Sequence, residues 1–95
     1  MPAAARKGDA GVVHCSKHNI QGASSDVFIN NLGAARKGDK NTPHKKKGKK
    51  CPTHSAAISG GSGTVFINNR NAARVGDAYT ECTKIAKGSN NVFIG

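Results

Sequence analysis

The chain has 95 residues, a formal net charge of +10 and few large apolar side chains: six Val, six Ile, three Phe and one Leu. This length allows one small domain, and the composition is close to that of a disordered chain, so a hydrophobic core alone is not expected to hold the fold. No stretch approaches the roughly 18 apolar residues of a membrane-spanning helix, and the start, Met1-Pro2-Ala3-Ala4, lacks an apolar signal region. We therefore expect synthesis in the cytoplasm.

Two short sequence blocks recur three times along the chain. Ala-Ala-Arg-x-Gly-Asp occupies residues 4–9, 34–39 and 72–77, and each copy is followed by Val-Phe-Ile, beginning at Val27, Val65 and Val92. Recurrence in a constant order is the signature of a repeat architecture. We expect one domain over residues 1–95, with a lysine-rich insertion at 45–50 and repeats at about 2–32, 33–70 and 71–95.

The repeated blocks predict short strands and tight turns. β-Branched and aromatic residues bounded by Gly, Ser and Asn favour extended backbone, so each Val-Phe-Ile block predicts a strand. Gly8, Gly38 and Gly76 precede the Asp of each copy and predict turns with positive φ. No segment has a sustained helical period. We expect an all-β, small conical domain of three pseudo-threefold β-hairpin repeats, with a core near the axis formed by Phe28, Phe66 and Phe93.

Residue types that bind metals fall at one position of the repeat. Five residues after the Asp of each Gly-Asp pair stand His14, His44 and Cys82. Threefold closure would bring these residues to one point at the narrow end, or apex, and supply three corners of a zinc tetrahedron. Metal binding can contribute folding energy that a sparse core does not. We therefore expect a metal-pinned apex and a poorly folded metal-free chain.

The fourth ligand must break the threefold pattern. His54, at the far end of the insertion, is the favoured candidate, and His18 and Cys51 are the alternatives. Cys15 adjoins a proposed ligand, and adjacent residues in an extended chain point apart. A site closed by four protein ligands is structural, whereas a catalytic zinc keeps one position open. His and Cys ligation favours zinc, with iron as the alternative ion.

The three Ala-Ala-Arg-x-Gly-Asp blocks, together with Gly-Ser-Gly-Thr-Val-Phe-Ile-Asn at residues 61–68, resemble the Pro-Ala-Ala-Arg (PAAR) repeat family. The copies here read Ala-Ala-Ala-Arg, Gly-Ala-Ala-Arg and Asn-Ala-Ala-Arg, so the Pro of the signature is missing. The resemblance implies a pointed tip on the trimeric β-helical spike of a contractile injection machine. It also implies one structural zinc, bound by His14, His44, His54 and Cys82.

The function implied by this resemblance is mechanical rather than enzymatic. One monomeric tip would cap and sharpen each spike trimer, of the VgrG type in type VI secretion systems or of the phage tail-spike type, and would aid membrane penetration. The protein would leave the cell on the injection apparatus or form part of a phage virion. No small-molecule substrate or nucleic acid is expected. The residues expected at the base, against the spike, are Val27, Phe28, Ile29, Val65, Phe66, Ile67, Val92, Phe93 and Ile94.

Two alternatives concern the positive charge. The lysine-rich run from Lys45 to Lys50 is interpreted first as a solvated loop and second as a transient contact with anionic membrane. The second class of function is a zinc-stabilised, basic nucleic-acid-binding module. Its disadvantage is the shortage of stacking side chains, since the three Phe and Tyr79 are the only aromatic residues. No nucleophile–base constellation or phosphate-binding loop supports an enzyme.

Overall fold

The structure is a computed structural model that describes residues 1–13, 17–45, 53–80 and 83–95, with the backbone alone at residues 44, 45, 53 and 54. Six two-residue strands form three antiparallel hairpins: β1 (Phe28–Ile29) with β2 (Leu32–Gly33), β3 (His44–Lys45) with β4 (Thr53–His54), and β5 (Phe66–Ile67) with β6 (Arg70–Asn71). The described ranges contain no helix that could cross a membrane. Strands are the regular elements of the described ranges, which hold no helix, and the prediction of an all-β domain is confirmed.

Positive φ angles build the turns that the repeated blocks predict. Gly8, Gly38 and Gly76 have φ of 92°, 95° and 94°, which confirms the expected turn conformation. The β1–β2 and β5–β6 hairpins turn through Asn-Asn pairs that all adopt positive φ, and this matches the twist of the flanking strands. Asn tolerates this region better than most residues because its short side chain bonds locally.

Three buried alanines form a closed ring of backbone hydrogen bonds. The Ala35 amide donates to the Ala5 carbonyl at 3.0 Å, the Ala73 amide to the Ala35 carbonyl at 3.0 Å, and the Ala5 amide to the Ala73 carbonyl at 3.1 Å. Each repeat therefore donates to one neighbour and accepts from the other. Their complete burial leaves no space for a larger side chain. This ring shows the pseudo-threefold relation of the repeats directly.

A second ring closes on the other side of the Gly-Asp turns. After each turn the chain runs outward in a rising segment (10–13, 40–45 and 78–80) and comes back in a returning segment (17–20, 53–58 and 83–85). Bridges within repeats alternate with bridges between repeats, and together they close a circle: Ala10↔Asn19, Ile20↔Asn41, Lys40↔Ala57, Ile58↔Tyr79, Ala78↔Lys84 and Ile85↔Gly11. The extents of 38 × 24 × 22 Å show that the fold is longer in one direction than in the other two.

The core contains isoleucine and alanine, and the expectation of a phenylalanine core is wrong. Phe28, Phe66 and Phe93 are 59%, 57% and 50% exposed. Successive side chains on a strand point to opposite faces, so the Ile that follows each Phe turns inward instead. One cluster combines these inward-facing isoleucines with alanines, and the other centres on the fully buried isoleucines of the returning segments, Ile20, Ile58 and Ile85.

The Arg and Asp of each repeated block form a bidentate ion pair across the Gly turn. In the first repeat, Arg6 Nε donates to Asp9 Oδ2 at 3.0 Å and Nη2 donates to Oδ1 at 2.9 Å, while the Arg6 amide also donates to Oδ2. The same contacts recur in the other two repeats. Hydrogen bonding to Asp9, aided by its charge, raises the pKa of Arg6. The block is thus a structural element that fixes the turn.

Candidate functional site

At the apex, the backbone brings two of the predicted metal ligands into direct register. His44 of β3 pairs with His54 of β4, and Lys45 pairs with Thr53. Residues directly opposite in an antiparallel pair share one face, with Cβ atoms about 4.5–5.5 Å apart. This placement fits two ligands of one ion. Because β3 and β4 pair on either side of the insertion, the backbone of His54 lies next to that of His44.

The other predicted ligands, His14 and Cys82, lie outside the described residues, as do the alternative Cys51, Cys15 and most of the lysine run. The described chain on one side of each ligand is joined: the amide of Val12, two residues before His14, donates to the carbonyl of Lys84, two residues after Cys82, at 2.9 Å, and Gly11 bridges Ile85. Within residues 1–13, 17–45, 53–80 and 83–95, no group of three His, Cys, Asp or Glu could hold a metal ion. The four-ligand set of His14, His44, His54 and Cys82 therefore stays a prediction.

His18, the alternative fourth ligand, is engaged in the protein interior. Its side chain is buried, with Nε2 at 3.2 Å from the Val12 carbonyl oxygen and Nδ1 at 3.1 Å from Asn41 Nδ2. Metal coordination by either nitrogen would break a buried hydrogen bond. Sequence reasoning missed this polar contact. The signal was present, because Gly11 stands where the other repeats have Asn41 and Tyr79.

Each Val-Phe-Ile block, expected at the base, has one side chain that turns inward and two that are exposed. The nine residues expected there divide by type: Ile67 and Ile94 are buried and Ile29 packs against them, whereas the Val and Phe side chains stay exposed. We call this exposed set the base ring: Val27, Phe28, Val65, Phe66, Val92 and Phe93. The three repeats thus expose three equivalent Val-Phe pairs.

Hydrogen bonds between repeats fix the spacing of the base ring. Ser24 Oγ donates to Asn68 Oδ1 at 2.7 Å, Ser89 Oγ donates to Asn30 Oδ1 at 2.6 Å, and Ser62 Oγ donates to the Gly95 carbonyl. The three serines are buried, and each joins its own repeat to the next one. The base is therefore a rigid surface, because each Val-Phe-Ile block is tied to a serine in another repeat.

One carboxylate belongs to this hydrogen-bonded base. Asp26 Oδ1 accepts from Asn68 Nδ2 at 2.9 Å and lies 2.8 Å from Ser24 Oγ, whose one proton is shared between Asp26 Oδ1 and Asn68 Oδ1. The hydrogen bond from Asn68, followed by that from Ser24, lowers the pKa of Asp26. Because Asn68 Oδ1 also accepts from Arg36, this amide joins the Arg36–Asp39 ion pair of the second repeat to Ser24 and Asp26 of the first.

Comparison with known proteins connects this architecture to one family. The sequence profile described as the PAAR motif matches residues 47–95, and no curated protein matches the chain. The matched range holds the third Ala-Ala-Arg-x-Gly-Asp block, and the first two blocks adopt the same Arg–Asp geometry. The family is structural rather than enzymatic, and it relates the chain to the spike tips of type VI secretion systems and phage tails. The chain belongs to the PAAR motif family.

Proposed function

We propose that this protein is the tip of a trimeric spike in a contractile injection machine. The observation that carries the proposal is the closed ring of Ala5, Ala35 and Ala73, through which one chain makes the same contact three times around one axis. A single chain with this symmetry offers three nearly equivalent surfaces to a partner that has a true threefold axis. One tip per trimer is the stoichiometry that such a match requires.

The base ring is the surface we assign to the spike. Exposed large apolar side chains are typical of protein interfaces, and aromatic residues are the usual anchors. Phe28, Phe66 and Phe93 occupy equivalent positions in the three repeats, with half or more of each side chain exposed. The partner is a trimeric β-helical spike, of the VgrG type or the phage tail-spike type, whose end would cover these side chains and pair with the free edges of the short strands.

A metal ion at the apex is the second part of the proposal. His14, His44, His54 and Cys82 would hold one zinc, with iron as the alternative, and the ion would supply a cross-link among the three repeats. Two observations support this assignment: the direct register of His44 with His54, and the hydrogen bond between Val12 and Lys84, which stand two residues from His14 and Cys82. Three imidazoles and one thiolate are a donor set that suits structural zinc.

Positive charge adds a role at the target surface. Eight of the eleven lysines lie in residues 10–19, 40–57 and 78–84, the segments that contain the predicted ligands, against one acidic residue, Glu81. A lysine near an anionic membrane gains about 1 kcal/mol. Transient contact with anionic lipid as the tip meets a membrane, followed by penetration and delivery out of the cell, is therefore part of the proposed function.

The test is capture of the tip by candidate spike trimers, analysed by native mass spectrometry. We expect one tip and one zinc per trimer. Phe28→Ser, Phe66→Ser and Phe93→Ser combined should abolish capture without unfolding the chain, because these side chains are exposed. Lys7→Ser, Lys37→Ser and Lys87→Ser combined provide a control that leaves the base ring intact. Failure to bind any spike, together with DNA binding that falls steeply with salt, would replace this proposal by a nucleic-acid-binding function.

A further inference from the structure

One imidazole, that of His18, contacts all three repeats. His18 lies on the returning segment of the first repeat and is 2% exposed. Its ring bonds to the Val12 carbonyl of the first repeat and to Asn41 of the second, and it packs edge-on against Tyr79 of the third, at a centroid distance of 5.6 Å and an angle of 74°. Val12, Asn41 and Tyr79 all belong to rising segments, so one side chain connects the three of them.

The surrounding layer departs from threefold symmetry to hold this ring. Gly11, Asn41 and Tyr79 occupy the same place in the three repeats, two residues after the Asp. A Cβ atom at Gly11 would lie 2.1 Å from His18 Cε1 and 2.6 Å from Nε2, so only glycine leaves space for the imidazole. The amide of Asn41 supplies a hydrogen bond and Tyr79 supplies an aromatic face. Gly11, Asn41 and Tyr79 thus differ from one another because each contributes something different to the site of His18: space, a hydrogen bond and an aromatic contact.

Hydrogen bonding defines the protonation of the ring. Asn41 is fully buried, and its Oδ1 accepts from the Ala56 amide at 2.8 Å, which directs Nδ2 toward His18. The Val12 carbonyl can only accept, so Nε2 of His18 carries the proton and Nδ1 accepts from Asn41. His18 is therefore a neutral imidazole of one tautomer. Both nitrogens are used in holding the layer together.

We propose that His18 is a positioning residue for the metal site and not one of its ligands. The inference rests on the proposed function, because it requires that His14, His44 and Cys82 bind the ion. Each of these stands three residues beyond Gly11, Asn41 or Tyr79, the positions that surround His18. By joining the three rising segments to each other, the imidazole fixes the positions from which the chain continues to the predicted ligands. Loss of such an outer contact typically costs about 10- to 100-fold in metal affinity.

The experiment compares His18→Leu with His18→Gln in the full chain. Leu fills a similar volume without hydrogen bonds, whereas Gln carries both a donor for Val12 and an acceptor for Asn41. Zinc release to a chromophoric chelator and the visible spectrum of the Co²⁺-loaded chain are the measurements. We expect one metal per chain in every variant, with release about 10-fold faster or more and altered Co²⁺ bands in the Leu variant. The Gln variant should stay near the wild type.

A matched pair of glycine variants tests the same layer by a second route. Gly11→Ala places a methyl group against the imidazole, whereas Gly63→Ala meets no atom within 4 Å. Gly11→Ala should reproduce the effect of His18→Leu, and Gly63→Ala should leave release and spectrum unchanged. Ile67→Ala, which removes a buried side chain from the base cluster, controls for general loss of stability. It should lower the melting temperature without altering the Co²⁺ bands.

Each other outcome overturns the inference in an identifiable way. If His18→Leu loses the metal while His54→Ala keeps it, His18 is a ligand. If His18→Leu and Gly11→Ala both retain wild-type release rates and spectra, His18 has no positioning role. If the wild-type chain binds neither Zn²⁺ nor Co²⁺, the metal site itself is refuted. Spike capture by the base ring is measured separately, so failure of the tip function would be distinguishable from all three results.

Discussion

Ile85 pairs with Gly11 in an antiparallel bridge that joins the last repeat to the first, and this contact closes the outer ring of the fold. The two residues are far apart in the sequence, so their bridge forms only when all three repeats are in place. Ile85 is fully buried in the cluster that it shares with Ile20 and Ile58. Closure thus depends on one isoleucine per repeat.

Truncation of these isoleucines tests whether the repeats contribute equally. Ile20→Ala, Ile58→Ala and Ile85→Ala should each lower the free energy of unfolding by about 2–5 kcal/mol, because each leaves a cavity in the same cluster. Urea denaturation followed by circular dichroism measures the loss. Val13→Ala, at an exposed position, should have little effect. Equal stability of the wild type and the Ile85 variant would contradict the closed ring.

The geometry of the Arg–Asp pairs predicts that lysine cannot replace arginine in the repeated block. Arg36 contacts Asp39 through Nε and Nη2 with 15% of its side chain exposed, whereas Arg70 reaches the same carboxylate through one nitrogen and is 48% exposed. Because lysine cannot make a bidentate contact, Arg36→Lys should cost about 1–3 kcal/mol in unfolding free energy. Arg70→Lys is the control and should cost less. A larger loss of unfolding free energy in Arg70→Lys than in Arg36→Lys would show that the bidentate contact does not stabilise the fold.

Removal of the Asn68 amide should raise the pKa of Asp26 toward its ordinary value of 3.8. In the folded chain this pKa is lowered, so the stabilising contribution of the ionised carboxylate is present above the ordinary pKa and is lost as pH falls through the lowered value. Asn68→Gly removes the amide and keeps the positive φ of 52°. Titration of the Asp26 carboxyl carbon by NMR measures the change.

The neighbouring residue supplies the control for this titration. Asn69 has a similar φ of 65°, so Asn69→Gly makes the same backbone change while Asn68 keeps its bond to Asp26. The pKa of Asp26 should stay lowered in this variant. A shift of equal size in both variants would assign the effect to the backbone of the turn and not to the amide.

Removal of the metal should unfold most of the chain. The described core consists mainly of alanine and isoleucine, and structural zinc sites contribute about 10–16 kcal/mol to the folding of small domains. Treatment with a chelator should therefore abolish the native circular dichroism, and added Zn²⁺ should restore it. His44→Ala and His54→Ala should behave like the chelated chain even with zinc present. An unchanged melting temperature after complete metal removal would refute the role of the ion.

Local features of the fold could be predicted from the sequence. Which side chains point into the core could not. Gly38 before Asp39 predicted a positive φ because few other residues adopt that conformation. Phe66 and Ile67 stand next to each other, both apolar, so no alternation with polar residues indicated which one faces inward. Only the packing of Ile67 with alanines of neighbouring repeats decided it.

The amino-acid sequence by itself determined the three repeats, their turns and the residue types available to a metal, since these follow from local conformational preference and from spacing. The tertiary structure alone decided how the repeats meet: Ile85 with Gly11, His44 opposite His54, and His18 between three rising segments. The physical reason is that a histidine such as His18 can bind a metal or form buried hydrogen bonds, and only the residues around it in the fold decide between these roles. Those neighbours, Asn41 and Tyr79, come from other repeats.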